Sequence, residues 1–289
     1  MLIRQVALVP EHVDVDAAEV VRVAAALQKQ VTRDFSPIWD IPATVDGFVR
    51  LEDVPLGYWP VLLVRDVADA AGVHLDENGQ PFALVEAGDS WSLTASHETL
   101  EMLADPFGNR LVASASPAPG QGRVEILVEV CDPPEDAVFA YQVNGVLVSD
   151  FYTPRYFDPV NRPEALYDFT GAISEPRGVL RGGYLSWHNP ADDHWHQETF
   201  FEGDEPAFRD LGRLSRGSGS LRAMIDALTP QTRRLSRLSP HESEPLRLAL
   251  AASTSAGRAT GARADSLRAQ IGELVAASSR DVTGSSVDG

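Results

Sequence analysis

The sequence predicts an α+β protein: a mixed sheet with a helix packed on it, followed by a β-rich half and a helical C-terminal appendage. Three observations predict it. Strand-like and helix-like hydrophobic periods alternate over the first hundred or so residues, short strand-like runs then follow one another, and the chain turns Arg-, Ser- and Ala-rich after Glu205. At 289 residues with 44% hydrophobic content the chain is long enough for a sizeable core. The expected division is a domain over residues 1–205 and a tail over residues 206–289.

The elements follow in order. Ile3 to Val9 is a continuous apolar run of the buried-strand kind, and Asp14 to Phe35 has apolar residues at helical spacing (Val20, Val21, Ala24, Ala25, Leu27, Val31), with Asp14 and Asp16 as capping residues. Strand patterns follow at Ala43 to Leu51, Trp59 to Val64 and Pro81 to Glu86, the last after the turn signal Asn78-Gly79. The next helix begins near Thr94 or Ser96 and ends at Asp105-Pro106, because proline cannot continue a helix. Strands are expected at Arg110 to Ser114 and Val124 to Val130, and a hairpin at Phe139 to Val143 and Val146 to Phe151 around Asn144-Gly145. Aromatic, Pro-rich loops run to about Phe201. Leu211 to Ser239 and Leu246 to Ala277 carry interrupted helical patterns, and Ser279 to Gly289 reads as disordered.

Charge and cysteine usage exclude several functions. A net charge of −18 argues against nucleic acid as the main partner. The balance is uneven, with 12 Arg against 8 acidic residues from Pro206 onward and 12 basic against 34 acidic residues before it, so the basic tail suits docking to a partner protein or assembly. The single Cys131 rules out an internal disulfide and a cysteine-based zinc knuckle. No apolar run approaches the roughly 18 residues of a membrane span, and the opening Met1 to Pro10 turns polar too soon for a signal peptide. A cytoplasmic protein is expected. Any metal must be held by His and carboxylates.

Such a group stands in Ser96-His97-Glu98-Thr99-Leu100-Glu101-Met102-Leu103-Ala104-Asp105-Pro106. At about 100° per helical residue, Glu101 lies near 40° from His97, Asp105 near 80° and Glu98 near 100°. Leu100 and Leu103 fall on the other side as core anchors. One imidazole and three carboxylates on one stripe repel unless a cation offsets them, and no Lys or Arg occurs from Asp66 to Asn109. Zinc metallopeptidases place two ligands at i and i+4 and leave a Glu at i+1 to accept a proton from water. Here Glu101 takes the place of the usual second His, which zinc accepts at some loss of selectivity.

The same run, followed by Glu129-Val130-Cys131-Asp132, resembles the Ser-His-Glu-x-x-Glu-x-x-x-Asp-Pro … Glu-(Ile/Val)-x-Asp pattern of zincin-like bacterial proteins and the plant Exordium-type family. Tyr141 to Phe151 is similar to their following hairpin, and the resemblance covers roughly Trp91 to Pro154. It implies a zincin-like domain, with Pro81 to Glu86 as the edge strand that pairs with an extended peptide. By position, His97 and Glu101 are implied ligands and Glu98 the general base. Asp132 is favoured as third ligand over Glu129, and Asp105 suits support from behind the ligands. Zinc is the expected ion, with calcium or manganese as alternatives for a carboxylate-rich site.

The segment Trp187 to His196 holds His188, His194 and His196, and reads as a solvated aromatic loop more readily than as a ligand or substrate-binding set. Tyr141, Tyr152 and His194 are candidates to stabilise an oxyanion. Cys131 has no basic neighbour in sequence to activate it, so a buried thiol is expected. Neither a phosphate-cradling Gly-rich loop nor a Gly-x-Ser-x-Gly elbow is present. The functional expectation is a zinc-dependent metallopeptidase or related hydrolase acting on a peptide or protein; the alternative is a non-catalytic binding module with a structural ion.

Overall fold

Four successive residues of the first strand, Val6 to Val9, are fully buried, as their unbroken apolar run requires of a strand covered on both faces. The computed structural model of the chain describes residues 3–67, 70–77, 79–214 and 219–229. Its first sheet contains β1 (Arg4–Pro10), β2 (Ala43–Gly47), β3 (Trp59–Val64), β4 (Gly72–Glu77) and β5 (Gln80–Glu86) in the order β2-β1-β3-β5-β4. All pairs are parallel except β4 with β5. The sheet is mixed, as expected. Its edge is β4, not the expected Pro81 to Glu86, because the turn after Glu77 folds an extra antiparallel strand outside β5.

Helices cover one face of this sheet. Asp16 caps α1 (Ala17–Lys29) by accepting from the Ala18 N–H at 2.7 Å, and Val20, Val23, Ala24 and Leu27 face the core with Val6 and Leu8. The helix widens over Gln30–Phe35, passes into α2 (Ser36–Trp39), and stops at Asp40, whose φ is 54°. On the opposite face Ala7, Val9 and Leu62 are sealed by Leu51 and Val54. The second expected strand stops at Gly47, and Leu51–Asp53 forms a single tight turn instead.

Helix α3 (Trp91–Ala104) begins before the expected Thr94 or Ser96. Ser96 is no cap: its hydroxyl donates to Gln30 Oε1 at 2.8 Å and accepts from the Ser149 N–H at 2.9 Å. All 14 residues of the helix are buried, so its acidic stripe faces protein on every side.

The downstream half is antiparallel, as its strand-after-strand pattern predicts. Strands β6 (Leu111–Ala115) and β7 (Arg123–Leu127) are followed by the hairpin β8 (Tyr141–Val143) and β9 (Val146–Val148), whose turn has positive φ at both Asn144 (52°) and Gly145 (75°). Strands β10 (Tyr184–Asn189), β11 (His194–Thr199) and β12 (Ala207–Gly212) complete a sheet of order β12-β11-β10-β7-β6. The expected loop around Trp187 to His196 is therefore a hairpin. Strand β12 and the short helix α4 (Leu221–Asp226) lie past residue 205, yet β12 pairs with β11 and Ile225 packs with Leu127 and Trp195. Residues 230–289, and with them most of the expected tail, lie outside the described residues. Among the described residues no helix is long and apolar enough to cross a membrane.

Candidate metal centre

Glu101 is the centre of the site, and both of its oxygens are used. Oε1 accepts from the Cys131 N–H at 3.2 Å, and Oε2 lies 3.3 Å from His97 Nε2 one turn earlier on α3. Asp132 arrives from the segment after β7, with Oδ1 3.3 Å from the same His97 nitrogen. That segment is tightly held: Tyr152 N–H donates to Val130 O at 2.8 Å and Tyr184 N–H to Asp132 O at 3.2 Å. Gly183 is required opposite it, since a Cβ there would lie 2.6 Å from Asp132 O and 2.2 Å from Pro133 O. Ligand atoms of His97, Glu101 and Asp132 all lie within 4.8 Å of one another. These are the three residues that the sequence singles out as ligands.

Two further residues enter that sequence reasoning missed. His74, on β4, is 1% exposed and sits with Nδ1 3.6 Å from Glu98 Oε2 and 3.7 Å from Glu101 Oε2. Its signal was available: Val73 and Leu75 alternate with His74 and Asp76 just before Asn78-Gly79, a strand running into a hairpin turn. Strand β4 approaches α3 so closely at Gly72 that a Cβ would fall 2.5 Å from Thr94 Cγ2 and 2.8 Å from Glu98 Oε1.

The other newcomer is Arg222 on α4, whose position no local pattern announces. Its Nη1 donates to Glu101 Oε2 and to Glu129 Oε2 at 2.6 Å and lies 2.5 Å from His74 Nδ1, and Nε donates to Asp226 Oδ2 at 3.2 Å. The helix is aimed by its N-terminal end. Leu221 N–H donates to Asn109 Oδ1 at 2.9 Å, Arg222 N–H to Gly108 O at 3.0 Å, and Ser220 Oγ accepts from Ala223 N–H at 3.1 Å. The missing positive charge of the α3 stripe is thus partly supplied from 121 residues away.

One guanidinium does not neutralise the group. Burial works against the His97 imidazolium, but the facing Glu101 and Asp132 carboxylates outweigh it and hold its pKa well above the ordinary value. Glu101 goes the other way: burial raises it, yet His97 and Arg222 pull it well below the usual carboxylate range. Asp132, raised by burial and then by Glu101, is pushed up to about 6. Glu129 is raised well above its ordinary value, by burial first, against the pull of Arg222. Among the described residues, Glu98 Oε2, Glu129 Oε1, Asp132 Oδ2 and His97 Nδ1 are buried without a hydrogen-bond partner. The three carboxylate oxygens among them are unsatisfied acceptors of the kind that a bound cation relieves, whereas His97 Nδ1 faces away from the site's ligand atoms as a ring donor.

The remaining candidates divide. Asp105 stands behind the site: its carboxylate caps the Arg110 N–H at 2.6 Å, and its carbonyl contacts His74 Nε2 at 3.0 Å. Tyr152 is fully buried, stacked on Tyr156 with ring centroids 4.2 Å apart, and its hydroxyl has no hydrogen-bond partner among the described residues. Tyr141 turns away and donates to Asp34 Oδ2 at 3.0 Å. His188 pairs with Glu125 and Asp193 and His194 with Asp210, while His196 stacks on Trp187 with its Nε2 lacking a hydrogen-bond partner among the described residues and 4.0 Å from Asp192, so the contacts of all three lie outside the α3 group. Cys131 is a buried thiol, its pKa raised by burial and by Glu101.

Comparison of the chain with protein-family models, with curated proteins and with solved structures finds no match.

Proposed function

We propose that the chain is a zinc-dependent hydrolase of the metallopeptidase kind, with His97, Glu101 and Asp132 holding the ion and Glu98 serving as general base. One observation carries this reading: the His97, Glu101 and Asp132 ligand atoms converge within 4.8 Å, in a motif chosen from helical spacing and resemblance alone. The resemblance to zincin-like and Exordium-type proteins supports it at the level of pattern. An imidazole in the set favours zinc or manganese over calcium, which prefers six to eight oxygens.

A zinc ion held there supplies a Lewis acid that acidifies water and polarises a carbonyl. The protein's own part is to orient and to move a proton. Cys131 N–H fixes the Glu101 carboxylate, the Tyr184 N–H fixes the turn carrying Asp132, and Glu98 has one buried oxygen without a hydrogen-bond partner to take a proton from water. Peptide or protein is the proposed substrate class, and the basic tail is the proposed docking segment.

A second reading has its own support. His97, Glu98, Glu101 and Asp132 are at most 4% exposed, which suits a structural ion in a binding module as well as a reaction centre that opens to its substrate. Elemental analysis combined with Glu98→Gln separates the two. The hydrolase reading expects one zinc per chain in both proteins and a loss of hydrolysis of about 10²–10⁴-fold in the variant. Stoichiometric zinc without any hydrolysis of a peptide library by the native chain favours the structural ion, and absence of metal removes both.

A further inference from the structure

We infer that His74, Glu101 and Glu129 form a second cation site, sharing Glu101 with the first, and that the Arg222 guanidinium is the cation filling it in this chain. The ligand atoms of these three residues also lie within 4.8 Å of one another. Arg222 Nη1 sits among them, in contact with His74 Nδ1, Glu101 Oε2 and Glu129 Oε2. A guanidinium NH₂ carries two hydrogens and here meets three acceptors. The nitrogen therefore occupies the middle of a ligand cage and not the end of an ordinary fork-shaped ion pair.

Histidine orientation points the same way. The Asp105 carbonyl can only accept, so Nε2 carries a proton and donates to it at 3.0 Å, and in the neutral ring the Nδ1 lone pair then faces Arg222 Nη1. An imidazole locked by a backbone carbonyl behind, with its free lone pair aimed at a cation in front, has the arrangement of a metal-ligating histidine. Two buried oxygens without hydrogen-bond partners, Glu98 Oε2 and Glu129 Oε1, border the same space. Glu98 Oε2 lies 4.0 Å from Arg222 Nη2. A single positive charge thus stands where one imidazole and two or three carboxylates would accept two.

The chemical class follows from the donors. One imidazole nitrogen with carboxylate oxygens selects a small divalent transition ion, zinc or manganese, over an alkaline-earth ion. Arg222 then limits the centre to one metal, and removing its side chain converts the centre to two. Only the count of the first ion rests on the function proposed above.

The test uses the full chain, stripped of metal, titrated with zinc and measured for bound zinc after dialysis, with circular dichroism recorded throughout. The native chain and Arg222→Lys are expected to hold one zinc, Arg222→Ala two, and Arg222→Ala/His74→Ala one again. If Arg222→Ala binds no more zinc than the native chain, or stays unfolded in excess zinc, the inference is overturned. If the native chain binds none but Arg222→Ala binds one ion, lost with His74→Ala and kept with His97→Ala, the inference stands and the proposed His97 centre falls.

Discussion

Among the described residues two histidine–carboxylate clusters obey different physics. Around α3, two histidines and five carboxylates are buried, and their charge is partly offset by an arginine brought from a distant helix. On β10 and β11, His188 pairs with Glu125 and Asp193, and His194 with Asp210, on partly or largely exposed side chains close at hand. Water screens the second cluster, so each of its pairs is nearly self-sufficient. Burial makes the first cluster indivisible, since removing any one charge strands the others without solvent. Residue composition alone does not distinguish them; depth does.

The largest break in that contrast is expected from Arg222→Ala. Without metal it strips Glu129 of its ion-pair partner and leaves Glu101 with the imidazoles alone, and should cost about 3–5 kcal/mol in urea unfolding, a loss that added zinc reduces. A cost below about 1 kcal/mol would mean that the buried carboxylates are neutral as folded.

Next in size is Gly72→Ala, which removes no charge but presses on the Glu98 carboxylate. Its Cβ would meet Thr94 and Glu98 side chains at 2.5 and 2.8 Å, so β4 must move off α3 at a cost of about 1–3 kcal/mol, read as a lower denaturation midpoint. An unchanged midpoint would show that β4, and His74 with it, is not pinned against the helix.

A pH experiment sharpens the role of burial at a third carboxylate pair away from both clusters. Asp150 is pushed up from 3.8 to about 8, by burial first and then by the neighbouring Asp168, which leaves Asp150 carrying a proton at neutral pH. The folded chain keeps that proton up to about pH 8 while the unfolded chain releases it near 3.8, so the folded state binds more protons in between and stability falls as pH rises through that window. Asp150→Asn should flatten the fall between pH 5 and 8 in paired urea titrations; an equal slope in both proteins would contradict a protonated Asp150.

The smallest effect belongs to the exposed cluster. His188→Gln should change stability by less than about 1 kcal/mol and leave the zinc count untouched. A change in bound zinc would tie the two clusters together after all.

The sequence by itself determined whatever depends on near neighbours along the chain. Spacing on α3 put His97, Glu98 and Glu101 on one stripe, Asp16 capped the first helix, and Asn144-Gly145 made a hairpin, because 3.6-residue periodicity and left-handed turn preferences are local properties. Asp132 was reachable too, through its place in a pattern. What only the tertiary structure decided is the surroundings of that stripe: β4 folding back outside β5 to bring in His74, β12 carrying the chain past residue 205, and α4 setting Arg222 between Glu101 and Glu129. A cation called for by the charge of α3 can come from solution or from any arginine in the chain. Long-range packing, here Ile225 against Leu127 and Trp195 and the Asn109 cap on Leu221, selects which.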